Sequence, residues 1–332
     1  MDKVDLTISI VNYNTKNLLR GCLNSIYKIK GKIEFEVIVV DNTSSDGSVE
    51  LIEREFPRVK LIKNRQNLGF AKANNQAIKQ SKGRYILLCN PDIVIKSNSL
   101  DKMIEFMETH RSVGALGCKI LNPDKTIQTS NNSFPNLFTA FLHIFQLKKI
   151  VPSSRIRERI GRRWRVLPGT TLREYFRVYW DSNRVREVEW ATGACLLVRK
   201  ETVEEVGLLD ENFFMYYEDA DWCYRMRKKG WKTFYFPLFE AFHYVGKSTD
   251  KFNSKSFIER YKSMYHYFWK RGGKRALFLL RFIICSGLGL RLMGLLMIYL
   301  FSKNNRIKLK ESFRAYLTVI KGFKEGNFVC KP

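Results

Sequence analysis

The first 120 residues switch repeatedly between a two-residue and a helical hydrophobic period, and this restricts the fold more than any single motif does. Leu6-Thr-Ile-Ser-Ile-Val11 is short, apolar and β-branched, and it stops at Asn12-Tyr-Asn14. Leu18, Leu19, Cys22, Leu23 and Ile26 then recur at helical spacing. Residues 36–40, 59–62 and 85–89 read as further strands, and 48–55 and 70–80 as helices between them. Strands separated by helices of about ten residues predict βαβ units, hence an α/β fold with a mostly parallel central sheet. Such sheets hold ligands beyond the strand C-termini. Asn12, Asp41 and Asn90 fall at those ends.

After residue 134 the pattern loosens. An apolar stretch at 137–147 reads as an amphipathic helix, and ten Lys or Arg follow between 148 and 177 against only Glu158 and Glu174. We read an insertion over about 134–188. Residues 189–198 return to strand character, 219–229 form a helix closed by Gly230, and 231–236 form another strand. Residues 276–301 are the most hydrophobic part of the chain, yet contain Arg281 and Arg291. The uncharged pieces on either side of Arg291 fall short of the roughly 18 residues that a simple span needs. On a helical wheel the two arginines lie about 80° apart, with Lys274 near Arg281. That predicts a basic edge on an apolar helix lying in a bilayer interface, ahead of a buried core helix or a true span. The expected division is a catalytic domain at 1–250 and a helical, membrane-associating region at 251–332.

The net charge of +26 draws a chain toward nucleic acid, anionic lipid or diphosphate-bearing substrates. Nucleic acid is disfavoured, because the basic residues avoid the α/β half and no RNP-type or helix-turn-helix signature occurs. The seven cysteines are odd in number and form no C-x-x-C, which predicts reduced thiols acting as small core residues. Leu6 to Val11 is too short for a secretory h-region, so the protein is expected to face the cytoplasm.

Several polar clusters can carry chemistry. Asn90-Pro-Asp92 puts a carboxylate just after a buried strand, where it can hold a divalent cation against a diphosphate; it is also an ordinary turn. Asp41 can accept hydrogen bonds from a base or ribose, or belong to a capping turn. Asn64-Arg65-Gln66-Asn67-Leu68-Gly69 supplies a cation, amides and a permissive glycine at a helix entrance that suits an anion. Glu218-Asp219-Ala220-Asp221 opens a helix behind the aromatic run Phe213-Phe-Met-Tyr-Tyr217. Acids at a helix start can be simple capping residues, or desolvation there can raise a carboxyl pKa toward what a general base needs. His243 reads as a satisfied strand histidine or, paired with Asp92, as a second metal ligand.

Taken in order, Ser9-Ile-Val-Asn-Tyr-Asn14, Val39-Val-Asp-Asn-Thr-Ser-Ser-Asp-Gly47, Asn67-Leu-Gly-Phe-Ala71, Asn90-Pro-Asp92, Thr192-Gly-Ala194, Glu218-Asp-Ala-Asp221 and His243 resemble the motifs of family 2 glycosyltransferases. The resemblance covers about residues 5–250 and is to the bacterial rhamnosyltransferase branch. It implies a GT-A fold and inverting transfer from a nucleotide-diphospho-sugar, dTDP-L-rhamnose above galactofuranosyl or other hexosyl donors, to a cell-surface glycan or lipid-linked acceptor. It implies Asp219 as general base and Glu218 as an acceptor-binding partner. Asn12, Asp41, Arg65, Asn67, Gly69 and Asn90 would bind the donor nucleotide. Asp92 and His243 would hold Mg²⁺ or Mn²⁺, and Trp190, Thr192, Gly193 and Asp221 would line the acceptor side. Asn90 stands where many members carry Asp, which removes one charge from the metal site. The expected setting is peripheral, on the cytoplasmic face of an anionic inner or plasma membrane.

Overall fold

The computed structural model describes residues 4–96, 100–146, 182–244, 253–301, 306–325 and 328. The basic run at 148–177 lies outside them. The expected alternation is present as β1 (Leu6–Asn12), α1 (Lys16–Tyr27), β2 (Phe35–Asp41), α2 (Ser48–Glu55), β3 (Lys60–Lys63), α3 (Phe70–Lys79) and β4 (Tyr85–Cys89). These strands pair in parallel in the order β3-β2-β1-β4. The chain continues through β5 (Ile93–Ile95), α4 (Leu100–Thr109), β6 (Val113–Leu121), β7 (Ile127–Gln128), β8 (Asn131–Asn132) and α5 (Leu137–Ile144). Then come β9 (Arg186–Val188), β10 (Trp190–Ala191), β11 (Cys195–Arg199), α6 (Lys200–Val206), α7 (Glu218–Lys228), β12 (Lys232–His243), α8 (Ser254–Phe301) and α9 (Arg306–Glu325).

Beyond β4 the sheet runs β11-β6-β12-β5, with β11 antiparallel to both of its neighbours. Period-two alternation in β1 builds the layers. Leu6, Ile8 and Ile10 join the buried side chains of α1, α2 and α4, while Ile86, Leu88, Leu196 and Val198 face Ala71, Ile78, Trp222 and Met226 on the other side. Ser9, on the second face of β1, instead donates to Asn74 Oδ1 at 2.8 Å.

Two strands differ from expectation. Residues 189–198 form two short strands, because the chain leaves the two-stranded β8–β10 ribbon at Thr192-Gly193-Ala194 before entering the main sheet as β11. β12 does not stop at Phe236 but runs to His243, through a register shift between Phe236 and Glu240. Pro237 has no N–H for the ladder, and an irregularity absorbs it. That extension pairs Ala241–His243 with β5 and brings His243 opposite Ile93.

The chain divides into two compact units. The first holds the sheet. The second comprises the described parts of Pro135–Arg157, Asn212–Tyr217 and Gly246–Pro332. In it, α5 starts with a reciprocal capping box between Asn136 and Thr139. α8 is broken at Gly273, whose φ of 63° and ψ of −168° leave the helical region. The aromatic run packs within this unit: Phe213 lies edge-on to His266, Tyr217 meets Tyr267, and Arg260 stands over Tyr216. Tyr216 and Tyr217 both have positive φ, 71° and 68°, a strained conformation for bulky side chains.

The basic edge expected on residues 276–301 is not formed. Arg281 turns inward to the Tyr265 hydroxyl, and Arg291 donates to the carbonyls of His143 and Ile144 at the C-terminus of α5. Orphaned carbonyls at a helix end are a strong attraction for a guanidinium. Of the seven cysteines, the six that are described are free thiols, five of them buried.

Candidate active site

The ends of β1 and β2 are tied together by their polar residues. Asn12 Nδ2 donates to Asp41 Oδ1 at 2.8 Å and to Ser44 Oγ at 3.0 Å, and Ser44 N donates to Asp41 Oδ2 at 2.8 Å. Asn12 and Asp41 are both buried. Both Asp41 oxygens are thus used in tying the ends of β1 and β2 together. Asn42 extends the network, donating to the Gly69 carbonyl and accepting from Asn64. Gly69 N in turn donates to Asn67 Oδ1 at 2.9 Å, with φ 82° and ψ −179° at Gly69, a conformation open to glycine alone. Arg65 is exposed at this rim and makes no ion pair among the described residues. Ser44, Asn42 and Asn64 belong to the same network; in the sequence the first two were visible only within the Asx-rich loop after β2, and Asn64 only within the helix-entrance cluster it opens.

At the end of β4, Asn90 and Ile93 close a turn, with Ile93 N donating to Asn90 O at 3.1 Å. The turn aims Asp92 at β12, where Tyr244 N donates to the Asp92 carbonyl. His243 Nε2 lies 3.0 Å from Asp92 Oδ1. Asp92 Oδ1 is nevertheless buried without a hydrogen bond. On the other side of the ring, His243 Nδ1 is 3.1 Å from Gln128 Oε1. With a proton on Nδ1 facing that oxygen, Nε2 is available to a cation beside Asp92 Oδ1. Two lone-pair atoms 3.0 Å apart match adjacent positions around an octahedral cation with bonds of about 2.1 Å, and Gln128 fixes the ring from behind. The pair fits a divalent cation. Among the described residues no third His, Cys, Asp or Glu joins it. Gln128 escaped the sequence reading because a two-residue strand has no period.

Asp219 sits in the first turn of α7 and is 8 % exposed. Its Oδ2 accepts from Gly193 N at 2.9 Å and its Oδ1 from Ala220 N at 2.8 Å. Burial pushes its pKa up, opposed by these hydrogen bonds and by the Thr192 hydroxyl. Glu218 beside it is also buried, with Oε2 unpartnered. Burial first, and the Asp219 charge second, hold its carboxyl well above the usual range. Asp219 has hydrogen bonds that favour its charged form while Glu218 Oε2 has none, an arrangement suited to a base beside a protonated acid. A Cβ on Gly193 would press on the Phe70 ring at 3.3 Å but would meet Asp219 Cβ at an ordinary 3.6 Å. Trp190, partly exposed, donates from its indole to the Ser133 carbonyl.

Asp221 is the exception. It is wholly buried and accepts from Arg225 Nε at 2.8 Å, while that guanidinium also holds the Val206 and Leu208 carbonyls. This takes it out of the acceptor-side set expected from the sequence. At 100° per residue, Asp221 lies about 160° from Asp219 around the helix, on the core side.

Comparison with known proteins places the chain in a family. Residues 7–170 match the model of glycosyl transferase family 2. The chain is 30% identical over 240 residues to an N-acetylglucosaminyl-diphospho-decaprenol L-rhamnosyltransferase of Mycobacterium tuberculosis, covering 69% of this chain and 73% of that protein. The chain belongs to glycosyltransferase family 2. It is a rhamnosyltransferase-like glycosyltransferase. Rhamnosyltransferase WbbL of Escherichia coli is 30% identical over 210 residues, covering 60% of this chain and 69% of that one. A mannosyltransferase of Pyrobaculum calidifontis, solved with GDP-Man and Mn²⁺, superposes with a TM-score of 0.53 at 15% identity, over 95% of this chain and 85% of that chain. The fold is GT-A, with its mixed, mostly parallel sheet.

Proposed function

We propose that this family 2 enzyme transfers L-rhamnose from dTDP-L-rhamnose to a lipid-linked glycan acceptor, with inversion at the anomeric carbon. The observation that carries the reaction is the buried Asp219 carboxylate, held by Gly193 N beside the buried Glu218, whose carboxyl burial pushes well above the usual range. The choice of sugar is supported by the two rhamnosyltransferase relatives, and the choice of acceptor by the diphospho-decaprenol in the name of the first. Catalysis is assigned to residues 1–250 and membrane association, peripheral and on the cytoplasmic face, to 251–332.

In this reading the pocket of Asn12, Asp41, Asn67, Gly69 and Asn90 takes the nucleotide, and Arg65 meets the diphosphate as a free cation. Asp92 and His243 would hold Mg²⁺ or Mn²⁺, and the ion would supply positive charge against the donor diphosphate. Asp219 accepts the proton of the acceptor hydroxyl as that oxygen bonds to the anomeric carbon and the nucleoside diphosphate departs. Glu218, protonated, donates to the acceptor, and Trp190, Thr192 and Gly193 border it. Screening a panel of nucleotide-diphospho-sugars for turnover tests the donor: dTDP-L-rhamnose should exceed UDP-galactofuranose and other hexosyl donors, and a clear preference for one of those would replace the rhamnosyl assignment.

Two smaller predictions follow from the geometry. Gln128→Leu removes the acceptor that fixes the His243 tautomer, so Mn²⁺ affinity measured by electron paramagnetic resonance should fall about 10- to 100-fold; unchanged affinity would deny Gln128 that role. Glu218→Gln copies the protonated acid. It should leave the acid limb of the pH–rate profile in place and keep kcat within about tenfold, the loss of one neutral hydrogen bond. A limb displaced by this change would mean that Glu218 carries charge in the working enzyme.

A further inference from the structure

We propose that the second half of α8 and the groove it forms with α9 are a docking surface for an anionic phospholipid bilayer, entered by apolar side chains and gripped at both ends by cations. Phe278 and Phe282 are 71 % and 68 % exposed, and Leu290, Met293, Leu296 and Met297 are each more than half exposed. At 100° per residue these six fall within a stripe of about 120°. Only two charges occur between residues 276 and 301, and both are withdrawn from the stripe: Arg281 to Tyr265, Arg291 to the end of α5. The opposite face is packed. Leu277, Leu280, Ile284 and Leu288 are buried, and a Cβ on Gly287 would lie 2.3 Å from Ile144 Cγ2. A helix covered on one side and bare on the other lies along a bilayer surface, although residues 254–297 are long and apolar enough to cross one.

The charges identify the occupant. Lys274 and Arg275 are exposed at the start of the stripe. At its far end Lys310 and Arg314 edge a groove of about 360 Å³ whose remaining lining is Leu295, Leu296, Tyr299 and Phe313. None of these four cations has an ion-pair partner among the described residues; one acid, Glu311, is exposed next to Lys310. A second copy of the chain laid on the stripe, parallel or antiparallel, would set cations against cations. A sheet of lipid phosphates satisfies both ends at once, with acyl chains against the stripe and groove. This surface differs from the basic edge of Arg281 and Arg291 expected from the sequence, since its grip is mainly apolar.

The proposal gives the lipid-linked acceptor reading its physical setting, and it is tested without any acceptor. Full-length protein is floated with vesicles of phosphatidylcholine alone or with 30 % phosphatidylglycerol, percentages chosen on the order of natural anionic content. Wild type should bind the anionic vesicles. Phe278→Glu with Phe282→Glu should weaken binding by at least about tenfold, as two buried apolar anchors are replaced by charges that face phosphate. Lys310→Glu with Arg314→Glu should abolish the preference for anionic over neutral vesicles. Donor hydrolysis should be unchanged in both variants, which shows that they fold. Flotation of the Phe278/Phe282 variant like wild type, equal binding to both vesicle types, or a stable dimer that Phe278→Glu dissociates would each overturn it. Flotation as predicted by an enzyme that uses another sugar would remove the rhamnosyl reading and leave the docking surface standing.

Discussion

Asp219→Asn is expected to lower kcat by about 10²- to 10⁴-fold with the donor dissociation constant unchanged. The amide keeps the volume of the side chain and one oxygen to accept from Gly193 N or Ala220 N, but it cannot take a proton. Part of the cost of burial disappears with the charge, so thermal stability should hold. The wild-type pH profile makes the same point with the opposite sign of change. A base works deprotonated, and burial raises the Asp219 pKa. The acid limb should therefore lie above the ordinary aspartate value of about 3.9, with activity lost as pH falls through it. In the Asn variant the residual rate should lack that limb. A variant that turns over near normally, or keeps the limb, assigns the proton to another group.

Removing the metal pair should cost as much. Asp92→Ala and His243→Ala are each expected to abolish measurable transfer and Mn²⁺ binding by the free enzyme while the fold survives. The fold should survive because Asp92 Oδ1 has no hydrogen bond to lose, His243 pairs with Ile93 of β5, and its neighbour Phe242 pairs with Leu121 of β6. Among the described residues only Asp92 and His243 would hold the ion, so loss of either would leave a single ligand and affinity should collapse. Chelation of the wild-type enzyme should stop turnover, and added Mn²⁺ should restore it. Full activity after exhaustive chelation would show that the pair is a plain Asp–His ion pair.

The α/β half was legible because its strands alternate and its helices keep their period, so β1 to β4 and their terminal Asn12, Asp41 and Asn90 could be placed from spacing alone. His243 was legible as a residue but not as a neighbour. Its approach to Asp92 depends on β12 continuing through Pro237, and proline normally ends a strand in a sequence reading. Asp221 could have been excluded from the acceptor side by helix geometry, since residues two apart face different ways. Arg281 and Arg291 could not. Their partners, Tyr265 and the end of α5, are supplied by tertiary packing, and a helical wheel knows nothing of the neighbour that claims a charge. The strain at Tyr216 and Tyr217 was equally hidden, since nothing in an aromatic run announces a positive φ.

The central claim is a single displacement at the anomeric carbon with Asp219 taking the acceptor proton. Nuclear magnetic resonance of the product formed from dTDP-L-rhamnose and a lipid-linked acceptor reads it out directly. The new glycosidic bond should have the anomeric configuration opposite to that of the donor; a product that retains the donor configuration would contradict the account.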